Sequence, residues 1–108
     1  MIAPLMLMLM ANAGITTYTN GHSLAALCHA DLPACTRYIV GASDMISGLE
    51  NEKSLPPMVC VGDNVTEVQL ADVVTKFLAA NPDSLDQGAG ELIWAALYGS
   101  FPCPSNGQ

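Results

Sequence analysis

Basic residues are scarce in this sequence of 108 residues. It has three, Arg37, Lys53 and Lys76, against ten acidic residues, which gives a formal net charge of -7. Nucleic acids and anionic membrane surfaces are bound by clustered lysine and arginine. The composition therefore argues against both of these partners. The same charge would favour encounter with a basic protein.

The sequence also lacks the motifs of catalysis and metal binding. It contains no glycine-rich phosphate loop, no serine nucleophile elbow and no Cys-x-x-Cys pair. His22 and His29 do not have the spacing from the cysteines that zinc ligands have. Cys28 precedes His29 directly, but neighbouring helical residues point about 100° apart, and a disulfide would consume the thiol. We therefore predict no enzyme activity, no cofactor and no metal site.

The first 13 residues are expected to form a leader that precedes the fold. Residues 2–10 are an apolar run, and Ala11-Asn12-Ala13 has the small-x-small pattern of a signal-peptidase site. The run is shorter than the ~20 apolar residues that span a bilayer, and no lysine or arginine precedes it. A short buried helix is the alternative. We expect export, cleavage near Ala13, and a single domain over residues 14–108.

Capping signals and helical periodicity predict an all-α fold, a small disulfide-stapled bundle of about four helices. The first helix is expected from Asn20 or His22 to Ala30, and the second from a cap at Asp31 to near Gly48. The third is expected to begin at a capping box, Thr66–Gln69, and to end at Asn81-Pro82. The fourth is expected to begin at a second capping box, Ser84–Gln87, and to end at Pro102. Residues 49–57 are expected to form a loop.

The apolar spacing also predicts which helix faces are buried. In the second helix the apolar positions are Cys35, Tyr38, Ile39, Ala42, Met45 and Ile46. The third and fourth helices are expected to face each other through Leu70, Val74, Phe77, Ile93 and Leu97.

Four cysteines in a small exported chain favour disulfides over metal binding or catalysis. Cys28 ends the first predicted helix and Cys35 opens the second. Cys60 precedes the third and Cys103 follows the fourth, and the short loop between those helices makes them antiparallel. Of the three possible pairings, we therefore expect Cys28–Cys35 and Cys60–Cys103.

Two surface features are candidates for partner binding. Glu50, Glu52 and Lys53 are expected to form the polar tip of the predicted loop, which is either a solvated loop or a partner-binding one. Trp94 and Tyr98 are one helical turn apart in the fourth helix. They form either the edge of the core or an interface anchor, since Trp and Tyr are enriched in binding hot spots.

The stretch from Leu24 to Pro104 resembles the Rap/Tai immunity proteins of type VI secretion systems. The matching pieces are Leu27-Cys28, Cys35, Tyr38-Ile39-Val40-Gly41, Asp44, Cys60, Val65-Thr66, Gln69-Leu70-Ala71-Asp72-Val73-Val74, Phe77-Leu78, Asn81-Pro82, Ala95-Ala96-Leu97 and Phe101-Pro102-Cys103-Pro104. The sequence departs from the family pattern in two places. Its first two cysteines are unusually close, and Val61 follows Cys60 where a Leu-Pro pair is common.

This resemblance implies a periplasmic, all-helical protein that binds and blocks a peptidoglycan amidase effector. Such effectors are cysteine hydrolases that cut cell-wall peptides, and the immunity protein protects the producing cell and its siblings. Family members are often dimers, so a homodimer is a further expectation. The family pattern contains no catalytic residue and does not fix which residues contact the effector. The alternative is a periplasmic helical structural or adaptor domain with no toxin partner.

Overall fold

Four α-helices build the fold in the computed structural model, which describes residues 14–104. The helices are α1 (Gly21–Ala30), α2 (Leu32–Asn51), α3 (Glu67–Ala80) and α4 (Ala89–Ser100), with a 3-10 turn at Pro82–Ser84. Within the described range, β structure is limited to two isolated bridges. The predicted all-α class is confirmed. The predicted leader, residues 1–13, lies outside the described residues.

Three of the predicted helix caps are formed by the expected side chains. Asn20 accepts a hydrogen bond from an amide at the start of α1, and Asp31 does the same for α2. At α3 the capping box is reciprocal: the Gln69 amide donates to the Thr66 hydroxyl at 3.1 Å, and the Thr66 amide donates to the Gln69 side chain at 2.8 Å. These caps satisfy amides that have no partner inside the helix.

Helix α2 is longer than the sequence pattern predicts. It continues past Gly48 to Asn51, so the first residues of the predicted loop are helical. A glycine in a helix costs only about 1 kcal/mol. The carbonyl of Leu49 accepts the amides of Ser54 and Leu55 at 2.8 and 3.1 Å, which closes the last turn.

The second predicted capping box, Ser84–Gln87, does not begin a helix, and α4 starts only beyond it. The backbone of this segment instead forms hydrogen bonds with the start of α1. The carbonyl of Leu85 accepts the amide of His22 at 3.1 Å, and the carbonyl of Gln87 accepts the amide of Gly21 at 3.0 Å. This tertiary pairing satisfies the free amides of α1, and it fixes the segment in a non-helical conformation.

Gly21 sits where this segment leaves no room for a side chain. A Cβ atom there would lie 2.8 Å from the Leu85 Cα atom and 2.9 Å from its carbonyl oxygen. Because these are backbone atoms, Gly21→Ala is expected to lower the free energy of unfolding by about 1–3 kcal/mol. Gly41→Ala is the matched control, since nothing lies within 4 Å of its added Cβ atom. Urea unfolding measures both, and equal losses would contradict the expectation.

The hydrophobic core is formed where α2, α3 and α4 pack against one another, with α1 closing one side. Its largest fully buried side chains are Leu24, Ile39, Val74, Leu92, Ile93 and Leu97. The predicted burial of Leu70, Val74, Ile93 and Leu97 is confirmed.

Three predicted core positions are wrong. Phe77 is only half-buried and packs at the edge of the core, because the buried face of α3 consists of Leu70, Ala71, Val74 and Leu78. Tyr38 and Met45 are exposed, because α2 buries the narrower face that carries Cys35, Ile39 and Ser43. These two side chains leave an apolar surface on α2.

The disulfides join Cys28 to Cys35 and Cys60 to Cys103, which is the pairing that the helix ends predict. The first links α1 to the start of α2. Around the second, the Cys60 amide donates to the carbonyl of Phe101 at 2.7 Å, and the Cys103 amide donates to the carbonyl of Met58 at 3.1 Å. The segment before α3 and the segment after α4 thus form a short paired ribbon.

Candidate functional site

The two surface features predicted from the sequence lie at the same end of the bundle. The chain after α2 returns to the helix at Met58, whose amide donates to the Glu50 carboxylate at 3.1 Å. The carbonyl of Met58 in turn accepts the amide of Cys103, which follows the end of α4. The loop of residues 52–57 and the last turn of α4, with Tyr98, therefore share one end of the molecule.

Glu50 anchors this loop from inside the chain. Its half-buried carboxylate accepts the amides of both Met58 and Val59, at 3.1 and 2.9 Å. Hydrogen bonds to a charged acceptor are stronger than those between neutral groups. The prediction that Glu50 lies at the loop tip is therefore wrong: Glu50 is in the last turn of α2, and its side chain holds the far end of the loop.

Removing this anchor is expected to loosen the loop. Glu50→Ala leaves two amides without their acceptor, so the free energy of unfolding is expected to fall by about 1–3 kcal/mol. Glu52→Ala is the control, because the exposed Glu52 carboxylate bonds only the Ser54 hydroxyl in the described chain, and a change below about 0.5 kcal/mol is expected. Hydrogen exchange of the Met58 and Val59 amides should accelerate in the Glu50 variant alone. Unchanged exchange would refute the anchoring role.

The tip of the loop presents charged and apolar groups together. Lys53 has a φ of 67°, and it is the one non-glycine residue with positive φ among residues 14–104. Glu52 accepts a hydrogen bond from the Ser54 hydroxyl at 3.0 Å. Leu55 is exposed beside them and was missed from the sequence, although a leucine inside a polar loop is itself a signal.

The aromatic pair on α4 combines both alternatives left open by the sequence. The rings of Trp94 and Tyr98 are stacked, with centroids 5.0 Å apart and planes inclined by 12°. Trp94 packs against the core, whereas Tyr98 is 41% exposed. Trp94 is thus the edge of the core, and Tyr98 is the ring that a partner can reach.

The groups of this surface are suited to non-covalent binding. Both disulfides together take up all four thiols of the chain. Across residues 14–104, no three His, Cys, Asp or Glu side chains are arranged to hold a metal ion. His22 Nε2 lies 3.0 Å from a carboxylate oxygen of Asp86 on the exposed surface.

None of the helices described here has the length and apolarity needed to cross a membrane.

Comparison with known protein families gives a match over most of the chain. The sequence model of the Rap1a immunity proteins matches residues 20–103. The matched range begins at the cap of α1 and ends at Cys103, so it includes all four helices and both disulfides. No curated protein and no solved structure matches the chain.

Proposed function

This chain belongs to the Rap1a immunity protein family, and from that premise we propose that it binds and inhibits a type VI secreted peptidoglycan amidase effector in the periplasm. Family membership establishes an immunity function against a secreted effector, and hence an inhibitor and not an enzyme. The observation that carries the proposal is the family match across the whole helical bundle.

The chemistry of the chain supports a periplasmic site of action. Disulfides persist in oxidising compartments, which include the bacterial periplasm. An amidase that cuts cell-wall peptides acts in the same compartment, so an inhibitor has to meet it there. The apolar run and the Ala11-Asn12-Ala13 site at the start of the sequence provide a route of export.

We propose that inhibition works by occlusion of the active-site cysteine of the amidase. An inhibitor of this kind requires a rigid face that is complementary to the enzyme, because ordering a flexible segment on binding would weaken the complex. The loop anchored by Glu50 has this rigidity, and its tip presents Glu52, Lys53 and Leu55. Tyr98 supplies an aromatic side chain at the same end. A homodimer, as the family resemblance implies, would present two such surfaces.

Growth rescue tests the proposal. A periplasm-directed amidase effector from the same strain is expressed with the full chain or with residues 14–108 alone, which lack the predicted leader. The full chain is expected to restore growth, and the leaderless chain is expected not to. N-terminal sequencing of the periplasmic protein is expected to show Gly14 as its first residue. If no amidase effector of the strain binds the purified protein, the proposed amidase target is wrong.

A further inference from the structure

A second feature of the surface lies between α2 and the start of α3. Here the chain forms a cavity of about 290 Å³. Its polar lining consists of Ser43, Asp44 and Ser47 from α2, and Thr66 and Glu67 from the start of α3. We call this cavity the Asp44 pocket. No lysine, arginine or histidine lines it.

Ser43 is a buried polar side chain that faces this pocket. It is 7% exposed, and it is the sole buried polar residue in the described chain. Buried polar groups in proteins are normally hydrogen-bonded, yet within residues 14–104 the Ser43 hydroxyl takes part in no hydrogen bond. Among residues 14–104, no side-chain oxygen that is fully shielded from solvent lacks a hydrogen-bond partner. The Ser43 oxygen is therefore reachable through the pocket.

The two carboxylates of the pocket are not neutralised within the described chain. Ion pairs there join His22 to Asp86 and Lys76 to Asp72, and neither involves Asp44 or Glu67. Arg37 is on the same helix as Asp44 but two turns away, about 10 Å along the axis. Two carboxylates and nearby hydroxyl oxygens favour a ligand that is cationic and rich in hydrogen-bond donors.

The rim of the pocket leaves room for a partner's backbone. Gly41 and Gly48 flank Asp44 along α2, and a Cβ atom added at either would meet nothing within 4 Å. Glycine destabilises a helix relative to alanine, and no contact inside the molecule requires these two. Both positions therefore leave space beside Asp44 for the backbone of another chain. Met45, the next residue in α2, is 64% exposed.

We propose that the Asp44 pocket receives an arginine side chain of the effector. The inference rests on the proposed function and names the chemistry of one of its contacts. A guanidinium group carries five N–H donors in a planar fork, which suits the carboxylate acceptors from two helices and the free Ser43 oxygen that lines the pocket. The net charge of -7 would attract an effector surface that carries basic side chains such as this arginine.

A titration without the effector tests the pocket itself. Nα-acetyl-arginine methylamide is added to the ¹⁵N-labelled mature protein, and Nα-acetyl-citrulline methylamide serves as the uncharged control of the same shape. We expect saturable amide shifts at Ser43, Asp44, Ser47 and Glu67 with the arginine compound alone. The double variant D44N/E67Q should weaken this binding at least tenfold.

The matched control is D83N/E91Q, which removes two exposed carboxylates that do not line the pocket. Glu91 lies in the first turn of α4, as Glu67 lies in the first turn of α3, so both variants remove one carboxylate from the start of a helix. It should bind the arginine compound as the wild type does. Equal shifts with citrulline, or shifts that persist in D44N/E67Q, would overturn the proposal. Circular dichroism of both variants checks that the total helical content is unchanged.

Binding of the effector then separates the pocket from the proposed function. We expect D44N/E67Q to raise the Kd for the effector at least tenfold, with D83N/E91Q unchanged. An effector that binds D44N/E67Q as tightly as the wild type would refute the pocket and leave the immunity function standing. If the wild type binds no amidase effector, the proposed function fails, whereas the arginine titration still decides whether the pocket holds a guanidinium group.

Discussion

Replacing both Cys60 and Cys103 with alanine is expected to lower the free energy of unfolding by about 4 kcal/mol. The bridge joins residues that are 43 positions apart, so it removes much of the conformational freedom of the unfolded chain. Small domains have only about 5–15 kcal/mol of stability in total. Urea unfolding without reductant measures the loss, and immunity in the growth assay should fall with it.

The other disulfide provides the internal control. Cys28 and Cys35 are 7 positions apart, and the same chain-entropy argument gives a loss of about 2.5 kcal/mol for their double alanine variant. Alanine is preferable to serine because Cys35 is fully buried, and a serine hydroxyl there would lack a partner. Immunity should survive this change better than loss of Cys60–Cys103. The reverse order would show that loop length does not govern the effect.

Leu97→Ala is expected to cost about 2–5 kcal/mol, because Leu97 is 0% exposed and its truncation leaves a cavity in the core. Leu32→Ala makes the same chemical change at a side chain that is 54% exposed, and a loss below about 1 kcal/mol is expected. Unfolding in urea compares the two variants. Similar losses would mean that the face of α4 that carries Leu97 is not the buried one.

The fold was predictable where the signal is local. The caps at Asn20, Asp31 and Thr66 act over three residues, so the sequence alone reveals them. Ser84–Gln87 carries an equally good capping pattern, but the start of α1 binds its carbonyls from more than 60 residues away in the chain. Such tertiary competition is not visible in a local pattern. The burial of Ala71 and the partial exposure of Phe77 have the same origin, since neighbouring helices decide which side of α3 is buried.

The candidate site was predictable only in outline. The sequence indicates a polar loop and an aromatic pair, but it does not show that Glu50 holds the loop, because its partners Met58 and Val59 lie eight and nine residues further on. The Asp44 pocket was missed altogether. Its acidic groups, Asp44 and Glu67, come from different helices, and only the packing of α2 against α3 brings them to one cavity.

Neither disulfide crosses the loop of residues 52–57: one lies before it and the other after it. Trypsin cleavage after Lys53 would therefore give two polypeptides, each closed by its own bridge and joined to the other by non-covalent contacts. These contacts are the packing of α1 and α2 on α3 and α4, and the hydrogen bonds between the two parts of the chain. Cleavage after Lys76 would leave its fragments linked through Cys60–Cys103. The chain is thus divisible at a single peptide bond into two helical pieces, and reassembly of these pieces would report on the strength of the core between them.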